Sequence, residues 1–509
     1  MIKILKSIFK FLSSRFFIIA FLILVQTVIL FVAFYEIGRS GINVFIAFSI
    51  LSYIVTLFIL NRDVNPAYKI TWIVFVLTVP FAGSIFYIMF SRSRLPKKHL
   101  KIMNNIISKN AEILNNEVCS VSEFADTNFQ RISNYVRNTS GKPAYENTSI
   151  KYFPVGEEFY KDLLNELEQA EKYIFMEYYI IDLGKMWDSV YAILKKKAKA
   201  GLDVRLMYDD FGCLNRVPYN FKKQVQKAGI KVVNFNPFRP KLSSFHNYRD
   251  HRKITVIDGN VGFTGGINIA DEYINKVVKY GHWKDTAVML KGEGVWSLTT
   301  LFLENWEFST GISEDYHLFA PTLQKQSDGI IQVFGDSPFD RHLIAENTYI
   351  NIINNANKYV YITTPYLIID NELLTALRIA AVSGIDVRII TPHIPDKKII
   401  FYLSQSYYRD LVKAGVKIYE YLPGFIHSKS IISDDEIALV GTVNLDYRSM
   451  YLHMELSCMI YKSSVITNIA NDFNQTFALS KQITFQDIKN FSFFKKLIAF
   501  ILKVLSPLM

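Results

Sequence analysis

Charge-free stretches mark the beginning of the chain and precede a longer region in which short and long elements alternate. Residues 16–35, 42–60 and 70–90 carry no charged side chain, and each is long enough as a helix, at ~1.5 Å per residue, to cross a ~30 Å hydrocarbon core. We predict three membrane-spanning helices within an anchor of residues 1–92. For the first segment, which follows a basic tail, a buried core helix or a signal sequence is the alternative.

Basic residues beside these segments predict the side of the membrane on which the rest of the chain lies. Five of them follow the third segment directly: Arg92, Arg94, Lys97, Lys98 and Lys101. By the positive-inside rule they place the remainder of the chain in the cytoplasm. The basic N-terminal tail favours the cytoplasm as well, and three complete crossings do not satisfy both. We therefore expect a multi-pass protein of the cell membrane, with the number of true spans left open.

Both ends of the chain also show the spacing of amphipathic helices. In residues 2–14, lysines and serines fall on one helical face and apolar side chains on the other. In the C-terminal segment 486–509, Lys495, Lys496 and Lys503 form a stripe on a helix whose other positions are mostly Phe, Leu, Ile and Val. This spacing predicts an interfacial helix on an anionic membrane surface, and a packed terminal helix is the alternative.

From about residue 145 onward, short β-rich runs alternate with longer helical runs. This pattern predicts an α/β fold with a largely parallel sheet. The pattern also occurs twice, since the sequence GLDVR at 201–205 returns as GIDVR at 384–388, and AGIK at 228–231 returns as AGVK at 414–417. We predict a linker over 93–145 and two homologous domains, 146–320 and 321–485, related by pseudo-two-fold symmetry.

The composition limits the classes of protein to which the chain can belong. Of 509 residues, 50% are hydrophobic and 15% aromatic, which excludes intrinsic disorder. Three widely separated cysteines exclude a disulfide framework and lack zinc-binding spacing. The 57 Lys and Arg residues exceed the 46 Asp and Glu residues by 11, which indicates an anionic partner, either nucleic acid or an anionic membrane.

One chemical motif occurs once in each half. His251, Lys253 and Asp258 have the spacing H-x-K-x4-D, and an asparagine, Asn268, follows the histidine by seventeen positions after a turn of small residues. The same spacing returns in the second half with His427, Lys429, Asp434, Thr442 and Asn444. Two copies at matched positions of a duplicated frame argue against a chance charged strand on the surface.

These residue types together suit phosphodiester chemistry without a metal. Because side chains alternate along a strand, H-x-K directs an imidazole and an ammonium group to one face. The asparagines, the Thr442 hydroxyl and the glycine-rich turns bring polar groups close to an anionic phosphate oxygen. Two half-sites in one cleft would supply a nucleophile, an acid for the leaving alkoxide and fixed cations. The sequence has no Asp, Glu and His cluster with metal-ligand spacing, so we predict neither a metal nor another cofactor.

Two further acidic residues are candidates to orient the histidines. Asp285 follows His251 by 34 positions, and Glu455 follows His427 by 28. A carboxylate on the far nitrogen of each imidazole would fix its tautomer and support its cationic state. The aspartates of the two H-x-K-x4-D motifs are counted among the candidate catalytic residues, although organisation of a loop is the simpler role for them.

The motifs resemble those of the phospholipase D superfamily, and of bacterial cardiolipin synthases in particular. The resemblance is carried by residues 249–253 (RDHRK), the turn 264–268 (TGGIN) and the segment 440–449 (VGTVNLDYRS). Residues 65–72 and 80–87 are similar to the membrane anchor that precedes the catalytic region of those synthases. One difference lies in the turns, where Gly266 lacks the hydroxyl that Thr442 supplies in the second half.

The resemblance implies two phospholipase D-like α/β/α domains and a phosphatidyltransferase. Its reaction would join two phosphatidylglycerol molecules into cardiolipin and release glycerol. It implies that His251 attacks phosphorus to form a phosphohistidine and that His427 acts as acid and base, although the matched motifs leave this order open. The substrate would then be an anionic membrane lipid rather than nucleic acid, and protein partners are not indicated.

Other functions remain open at this point. Water in place of the second lipid would make the protein a phospholipase D, and phosphatidylethanolamine as donor would make it a different phosphatidyltransferase. A nuclease would suit the positive charge but gains nothing from apolar segments and amphipathic ends. A membrane scaffold without catalysis would have no reason to keep two complete motifs.

Overall fold

The computed structural model describes residues 42–90, 97–116, 127–239 and 244–508, together with nine isolated helical positions between 17 and 36. The amphipathic tail at 2–14, most of the predicted first span and the basic residues Arg92 and Arg94 lie outside these ranges. Within them, no helix combines the length and the apolar character that a membrane crossing requires. The predicted membrane-spanning helices are therefore not confirmed.

Three helices open the continuously described part of the chain and pack on one another: α1 (Ile42–Leu60), α2 (Pro66–Thr78) and α3 (Pro80–Phe90). A small apolar cluster of Val55, Ile59, Trp72, Val76 and Tyr87 lies between them.

The prediction of one continuous helix over 70–90 is wrong, because the chain turns at Val79 and Pro80. Proline lacks the amide hydrogen and disfavours a helical conformation in the preceding residue, and Val79 has φ −129° and ψ 74°. Gly83 allows α3 to fold back against α2, since a Cβ at this position would lie 2.7 Å from the Phe75 carbonyl oxygen. The result is a hairpin in place of a long helix.

Two further helices precede the first half of the duplicated region. The helices are α4 (Lys97–Asn116), α5 (Thr127–Ser140), α6 (Gly156–Glu168), α7 (Lys185–Lys199), α8 (Phe221–Lys227) and α9 (Val295–Thr310). The strands are β1 (Thr148–Phe153), β2 (Tyr173–Tyr178), β3 (Asp203–Asp209), β4 (Lys231–Phe235), β5 (Arg249–Asp250), β6 (Lys253–Ile257), β7 (Val261–Gly265), β8 (His282–Lys284) and β9 (Ala287–Gly292). Seven of them form one sheet in the order β1-β9-β7-β6-β2-β3-β4.

The second half repeats this plan. Its strands are β10 (Ile330–Asp336), β11 (Tyr359–Thr363), β12 (Leu367–Ile368), β13 (Asp386–Pro392), β14 (Lys417–Tyr421), β15 (Gly424–Ile426), β16 (Ser430–Ser433), β17 (Ile437–Gly441), β18 (Leu445–Asp446), β19 (His453–Tyr461) and β20 (Ser480–Ile483). Its helices are α10 (Ile344–Asn355), α11 (Asn371–Val382), α12 (Lys398–Lys413), α13 (Tyr447–Tyr451), α14 (Val465–Ala478), α15 (Phe485–Lys489) and α16 (Phe493–Leu505). The main sheet has the order β10-β19-β17-β16-β11-β13-β14-β20, and β5 of the first half pairs with β19.

The α/β class is confirmed, but the prediction of largely parallel sheets is wrong. In the two main sheets the parallel neighbours are β2, β3 and β4 in one half and β11, β13 and β14 in the other. The strands that carry the motifs, β6 with β7 and β16 with β17, are antiparallel. Only three residues separate each of these pairs, and so short a turn joins antiparallel strands, because a parallel pair needs a crossover.

An apolar core lies between the two halves and contains residues of both. Helix α9 lies in it with twelve of its sixteen residues buried. Side chains from both main sheets meet there, among them Val288 and Leu290 from β9 and Val440 and Cys458 from the second half. Two short parallel pairings also cross between the halves, β5 with β19 and β8 with β15. These two strand pairings position the site described below.

The C-terminal helix α16 packs against α12 and α2, where the Thr71 hydroxyl donates to the Val504 carbonyl at 2.7 Å. Two of the three lysines of the predicted cationic stripe face the protein, since Lys503 lies 3.3 Å from Asp410 and Lys495 lies over the Tyr402 ring. The apolar side chains are exposed instead. The structure thus differs from the predicted lysine contact with lipid, because α12 offers a carboxylate and aromatic rings to the ammonium groups.

Candidate active site

Each motif histidine directly follows a short strand that pairs with a strand of the other half. Strand β5 ends just before His251, whose amide donates to the Met454 carbonyl of β19 at 2.9 Å. Strand β15 ends just before His427, whose amide donates to the Lys284 carbonyl of β8 at 2.7 Å. Both imidazoles are buried and line one cleft of about 710 Å³, a volume typical of small-molecule sites.

The carboxylates that hold these histidines are exchanged between the halves. Nδ1 of His251 lies 3.0 Å from Glu455, which follows the second motif. Nδ1 of His427 lies 2.6 Å from Asp285, which follows the first motif. Each acid therefore serves the histidine of the other half, and neither half contains a complete pair. Sequence spacing identified the acids but not this exchange.

Hydroxyl groups hold Glu455 in place. The Ser449 hydroxyl donates to Oε1 at 2.6 Å, and the Thr442 hydroxyl donates to Oε2. The Thr442 hydroxyl thus donates its hydrogen to this carboxylate, and its contact with phosphate stays a prediction. In the first half, Gly266 stands where the second half has Thr442, and the Asp285 carboxylate occupies the space of the missing side chain. A Cβ on Gly266 would lie 2.0 Å from Asp285 Oδ1. Glycine at position 266 thus allows Asp285 to approach the turn more closely than a residue with a hydroxyl would.

Both motif lysines are buried beside the histidines. Burial, the largest cause, lowers the pKa of Lys253 to about 7 and that of Lys429 to about 8. Each ammonium group donates to the carbonyl of its own motif histidine, and Lys429 Nζ also lies 2.7 Å from Nδ1 of His427. Near pH 7, Lys253 is therefore charged only in part and Lys429 is mostly charged, and a bound anion would favour the charged form of both.

Burial also lowers the pKa of both histidines well below the ordinary value, and the neighbouring lysines lower it further. The two imidazoles are therefore neutral before an anion binds. A neutral imidazole whose Nδ1–H is held by a carboxylate keeps a lone pair on Nε2, the form required of a nucleophile or a base.

The two asparagines line the cleft, as expected, but differ in their contacts. Asn268 accepts a hydrogen bond from the Ile180 amide at 2.9 Å and donates to the Tyr273 hydroxyl at 2.7 Å. The Oδ1 atom of Asn444 is buried without a hydrogen-bond partner in the described part of the chain. Asn268 therefore shapes the wall of the cleft, while Asn444 retains an unused polar atom.

The motif aspartates are not part of the cleft. Asp258 accepts three backbone amides at 2.8 Å, from residues 171 to 173, and Asp434 accepts three at 2.7 to 2.9 Å, from residues 357 to 359. Both have positive φ, 54° and 58°. The prediction that they are catalytic is corrected: each ties the β6–β7 or β16–β17 turn to the start of the neighbouring strand.

Several residues of the cleft were not found by motif spacing. Tyr179 packs on His251 with ring centroids 5.0 Å apart, and Trp283 lies 5.3 Å from His427. Further lining side chains are Arg216, Tyr366, Lys397, Arg448 and His453. Of these residues, only Trp283 and His453 could have been found from the sequence, because each stands two residues before a carboxylate that contacts a motif histidine.

Among the residues that the structure describes, two groups of side chains have the arrangement of possible metal ligands. One is His251, His453 and Glu455, whose ligand atoms lie within 4.8 Å of one another, and the other is Glu346, Asp370 and Glu372. Sequence spacing does not reveal these groups, because their members come from separate parts of the sequence, and metal-independent chemistry stays a prediction. In the first group, however, the Glu455 oxygens already accept hydrogen bonds from hydroxyl groups.

Comparison with known proteins places these features in a family. The family model described as "Cardiolipin synthase, PLD-like domain" matches residues 163–282 and 349–477, one match in each half. The model described as "Phospholipase_D-nuclease N-terminal" matches residues 43–92. In fold, the chain is similar to phosphatidylserine synthase of Haemophilus influenzae Rd KW20, with a TM-score of 0.55 and 14% identity over 75% of this chain and 100% of that one.

Relatives match nearly the whole chain. A cardiolipin synthase of Alkalihalophilus pseudofirmus is 35% identical over 478 residues, which are 92% of this chain and 94% of the relative. An uncharacterized protein of Streptococcus mutans is 40% identical over 464 residues, 89% of this chain and 99% of the relative. The duplicated fold and the two-histidine cleft define a phospholipase D-type phosphatidyltransferase. Within that class, the chain belongs to the cardiolipin synthase family.

Proposed function

We propose that this protein is a cardiolipin synthase that transfers a phosphatidyl group from one phosphatidylglycerol molecule to another, with release of glycerol. The observation that carries the proposal is one cleft with two histidines, each held through Nδ1 by a carboxylate of the other half. Residues 146–320 and 321–485 are the proposed extents of the two homologous domains.

The first step is an attack on phosphorus. The Nε2 lone pair of His251 forms a bond to the phosphorus of the donor lipid, and the bond from phosphorus to the glycerol headgroup oxygen breaks. The departing oxygen takes the electron pair of that bond and a proton from Nε2 of His427. Glycerol leaves, and a phosphatidyl group stays on His251.

The second step reverses the roles around the same phosphorus. His427, now neutral, takes the proton from a headgroup hydroxyl of the second phosphatidylglycerol. The hydroxyl oxygen bonds to phosphorus, and the bond from phosphorus to His251 breaks, returning its electron pair to Nε2. Two phosphatidylglycerol molecules thus give one cardiolipin and one glycerol, with no nucleotide consumed.

The buried charges suit an anionic substrate. The lysines and histidines lose affinity for protons because they are buried close to one another. A phosphodiester between them introduces a negative charge, which favours protonation of His427 and of both lysines. Binding of substrate therefore creates the acid that the first step requires, together with the cations that stabilise the charged oxygens.

Attachment to the membrane is the second part of the proposal. Helix α16 exposes Phe493, Phe494 and Phe500, each more than 70% accessible, and α1 beside α2 exposes Tyr53, Leu57 and Phe58. The hydrogen bond from Thr71 to Val504 holds α16 and α2 side by side. We infer that this apolar surface contacts the bilayer from the cytoplasmic side, which keeps the cleft near a substrate that stays in the membrane.

The test is an assay with a single lipid. The purified full-length protein in detergent is incubated with phosphatidylglycerol and EDTA, and products are separated by thin-layer chromatography. We expect cardiolipin and glycerol in equal amounts, and a loss of at least about 10²-fold in His251→Ala and in His427→Ala, with the exposed His317→Ala as matched control. Phosphatidic acid without cardiolipin would indicate a phospholipase D. Loss of activity in EDTA that Mg²⁺ or Zn²⁺ restores would refute metal-independent catalysis.

A further inference from the structure

A third histidine stands in the cleft beside His251. His453 is the first residue of β19, only 8% exposed, and its ring centroid lies 5.5 Å from that of His251. Among the described residues, neither of its ring nitrogens has a hydrogen-bond partner. Nδ1 lies 3.7 Å from Glu455 Oε1, which is longer than a hydrogen bond. This buried polar ring therefore faces the substrate cleft with its hydrogen-bonding capacity unused.

The other half has a different ring at the corresponding position. Trp283 stands two residues before Asp285, as His453 stands two residues before Glu455. Their ring centroids lie 5.3 Å from His427 and 5.5 Å from His251, respectively. A motif histidine thus packs beside an indole in one half and beside an imidazole in the other, so packing alone does not call for an imidazole. The imidazole in the second half needs another explanation than packing.

The chemistry of His453 points to a substrate oxygen. Burial lowers its pKa to about 3, so the ring is neutral and carries one N–H donor. A buried donor without a partner is unfavourable, and a bound ligand that accepts its hydrogen bond would remove that cost. Glu455 is a poor partner, since Oε1 already accepts hydrogen bonds from Ser449 and His251.

We propose that His453 is a further substrate-binding residue, whose ring N–H donates a hydrogen bond to a phosphoryl oxygen of the lipid held beside His251. The inference rests on the proposed function in one respect, namely that a phosphodiester occupies the space between His251 and His427. A phosphorus atom bonded to or facing His251 brings its oxygens next to the neighbouring ring. His453 adds a neutral donor there, where a further cation would lower the proton affinity of the catalytic histidines.

The experiment compares two substitutions in the full-length protein in detergent. His453→Phe keeps a ring and removes the donor, while His453→Asn restores a neutral N–H donor. His317→Phe, at an exposed position, is the matched control. Calorimetry measures the binding of inorganic phosphate, ethyl phosphate and glycerol 1-phosphate in EDTA, and thermal melting checks that each variant is folded.

We expect His453→Phe to bind all three probes about tenfold more weakly or worse, as for a lost hydrogen bond to a charged group, and His453→Asn to recover most of the loss. Unchanged affinities in His453→Phe would overturn the inference, as would a loss confined to glycerol 1-phosphate, which would assign His453 to a headgroup hydroxyl. A bound divalent ion that His453→Phe releases would make the residue a metal ligand and would equally overturn it. Wild-type protein that binds the probes but forms no cardiolipin would refute the proposed reaction and leave the phosphate contact standing.

Discussion

His251 of the first half and Glu455 of the second half form a buried pair, with Nδ1 of the imidazole 3.0 Å from the carboxylate. The reciprocal pair, His427 with Asp285, has a distance of 2.6 Å. Two strand pairings between the halves produce this exchange, because β5 leads into His251 beside β19, and β15 leads into His427 beside β8. The duplication therefore yields one site with two interlocked halves, and it cannot work as two separate sites.

The exchanged carboxylate makes a prediction for Glu455→Gln. Glutamine preserves size but does not hold the imidazole in the required tautomer or stabilise its charge, so we expect kcat to fall by about 10²-fold or more. Glu436→Gln, on the exposed turn between β16 and β17, is the matched control. Steady-state rates of cardiolipin formation measure the effect, and a less than twofold change in Glu455→Gln would contradict the assigned role.

The buried lysines make a prediction for pH. Their pKa values, about 7 for Lys253 and about 8 for Lys429, mean that the free enzyme loses cleft charge as pH rises from 6.5 to 9. Phosphate binding favours charged lysines, so kcat/KM for phosphatidylglycerol should fall over this range. Lys253→Arg, which stays charged, should flatten the fall. A kcat/KM that rises or stays constant up to pH 9 would show that the lysine charges do not govern binding.

The close approach of Asp285 makes a prediction for Gly266→Ala. The added Cβ would lie 2.0 Å from Asp285 Oδ1, so the carboxylate must move away from His427. We expect a loss of transfer activity that is larger than the loss produced by Gly294→Ala, where the nearest atom would lie 3.0 Å away. Activity and thermal melting are measured together. A fully active Gly266→Ala variant would mean that the position of Asp285 does not limit catalysis.

The apolar face of α16 makes a prediction for vesicles. The triple change Phe493→Ser, Phe494→Ser and Phe500→Ser removes exposed rings without touching the buried contacts of Ala499 and Ser506. We expect weaker sedimentation with phosphatidylglycerol vesicles and lower activity on them, with activity in detergent micelles preserved. The control removes exposed apolar side chains elsewhere, with Ile379→Ser and Val382→Ser on α11. Equal losses in vesicles and in micelles would assign the face a structural role.

The sequence predicted the parts of the fold that depend on local pattern. Two α/β halves follow from repeated strings, and the cleft histidines follow from a motif kept at the same spacing. Pro80 in the sequence indicates the helix break, whereas the hydropathy of residues 70–90 indicates one long helix. Hydropathy, from which a membrane-spanning helix is predicted, takes no account of the backbone geometry at proline.

Other features depend on contacts between distant strands and could not be predicted. The exchange of Glu455 and Asp285 follows from the pairing of β5 with β19 and of β8 with β15. These segments lie about 200 and about 140 positions apart, and no local pattern records their pairing. The role of Asp258 depended on where its turn packs, since a motif position alone does not distinguish a cleft residue from a turn residue. His453 stands two residues before Glu455, as Trp283 stands two residues before Asp285. This matched spacing is the only indication of His453 in the sequence.

The most direct test of the account is to trap the covalent intermediate. In wild-type protein that is stopped within the first turnover, a phosphatidyl group should be found on His251, because the covalent intermediate forms before the second lipid reacts. Intact-protein and peptide mass spectrometry after incubation with phosphatidylglycerol, under alkaline quench, should find this mass on the peptide that contains His251, and no such mass in His251→Asn. A phosphatidyl group on His427 in the His251→Asn variant, or cardiolipin formation without any protein-bound phosphatidyl group, would contradict the account.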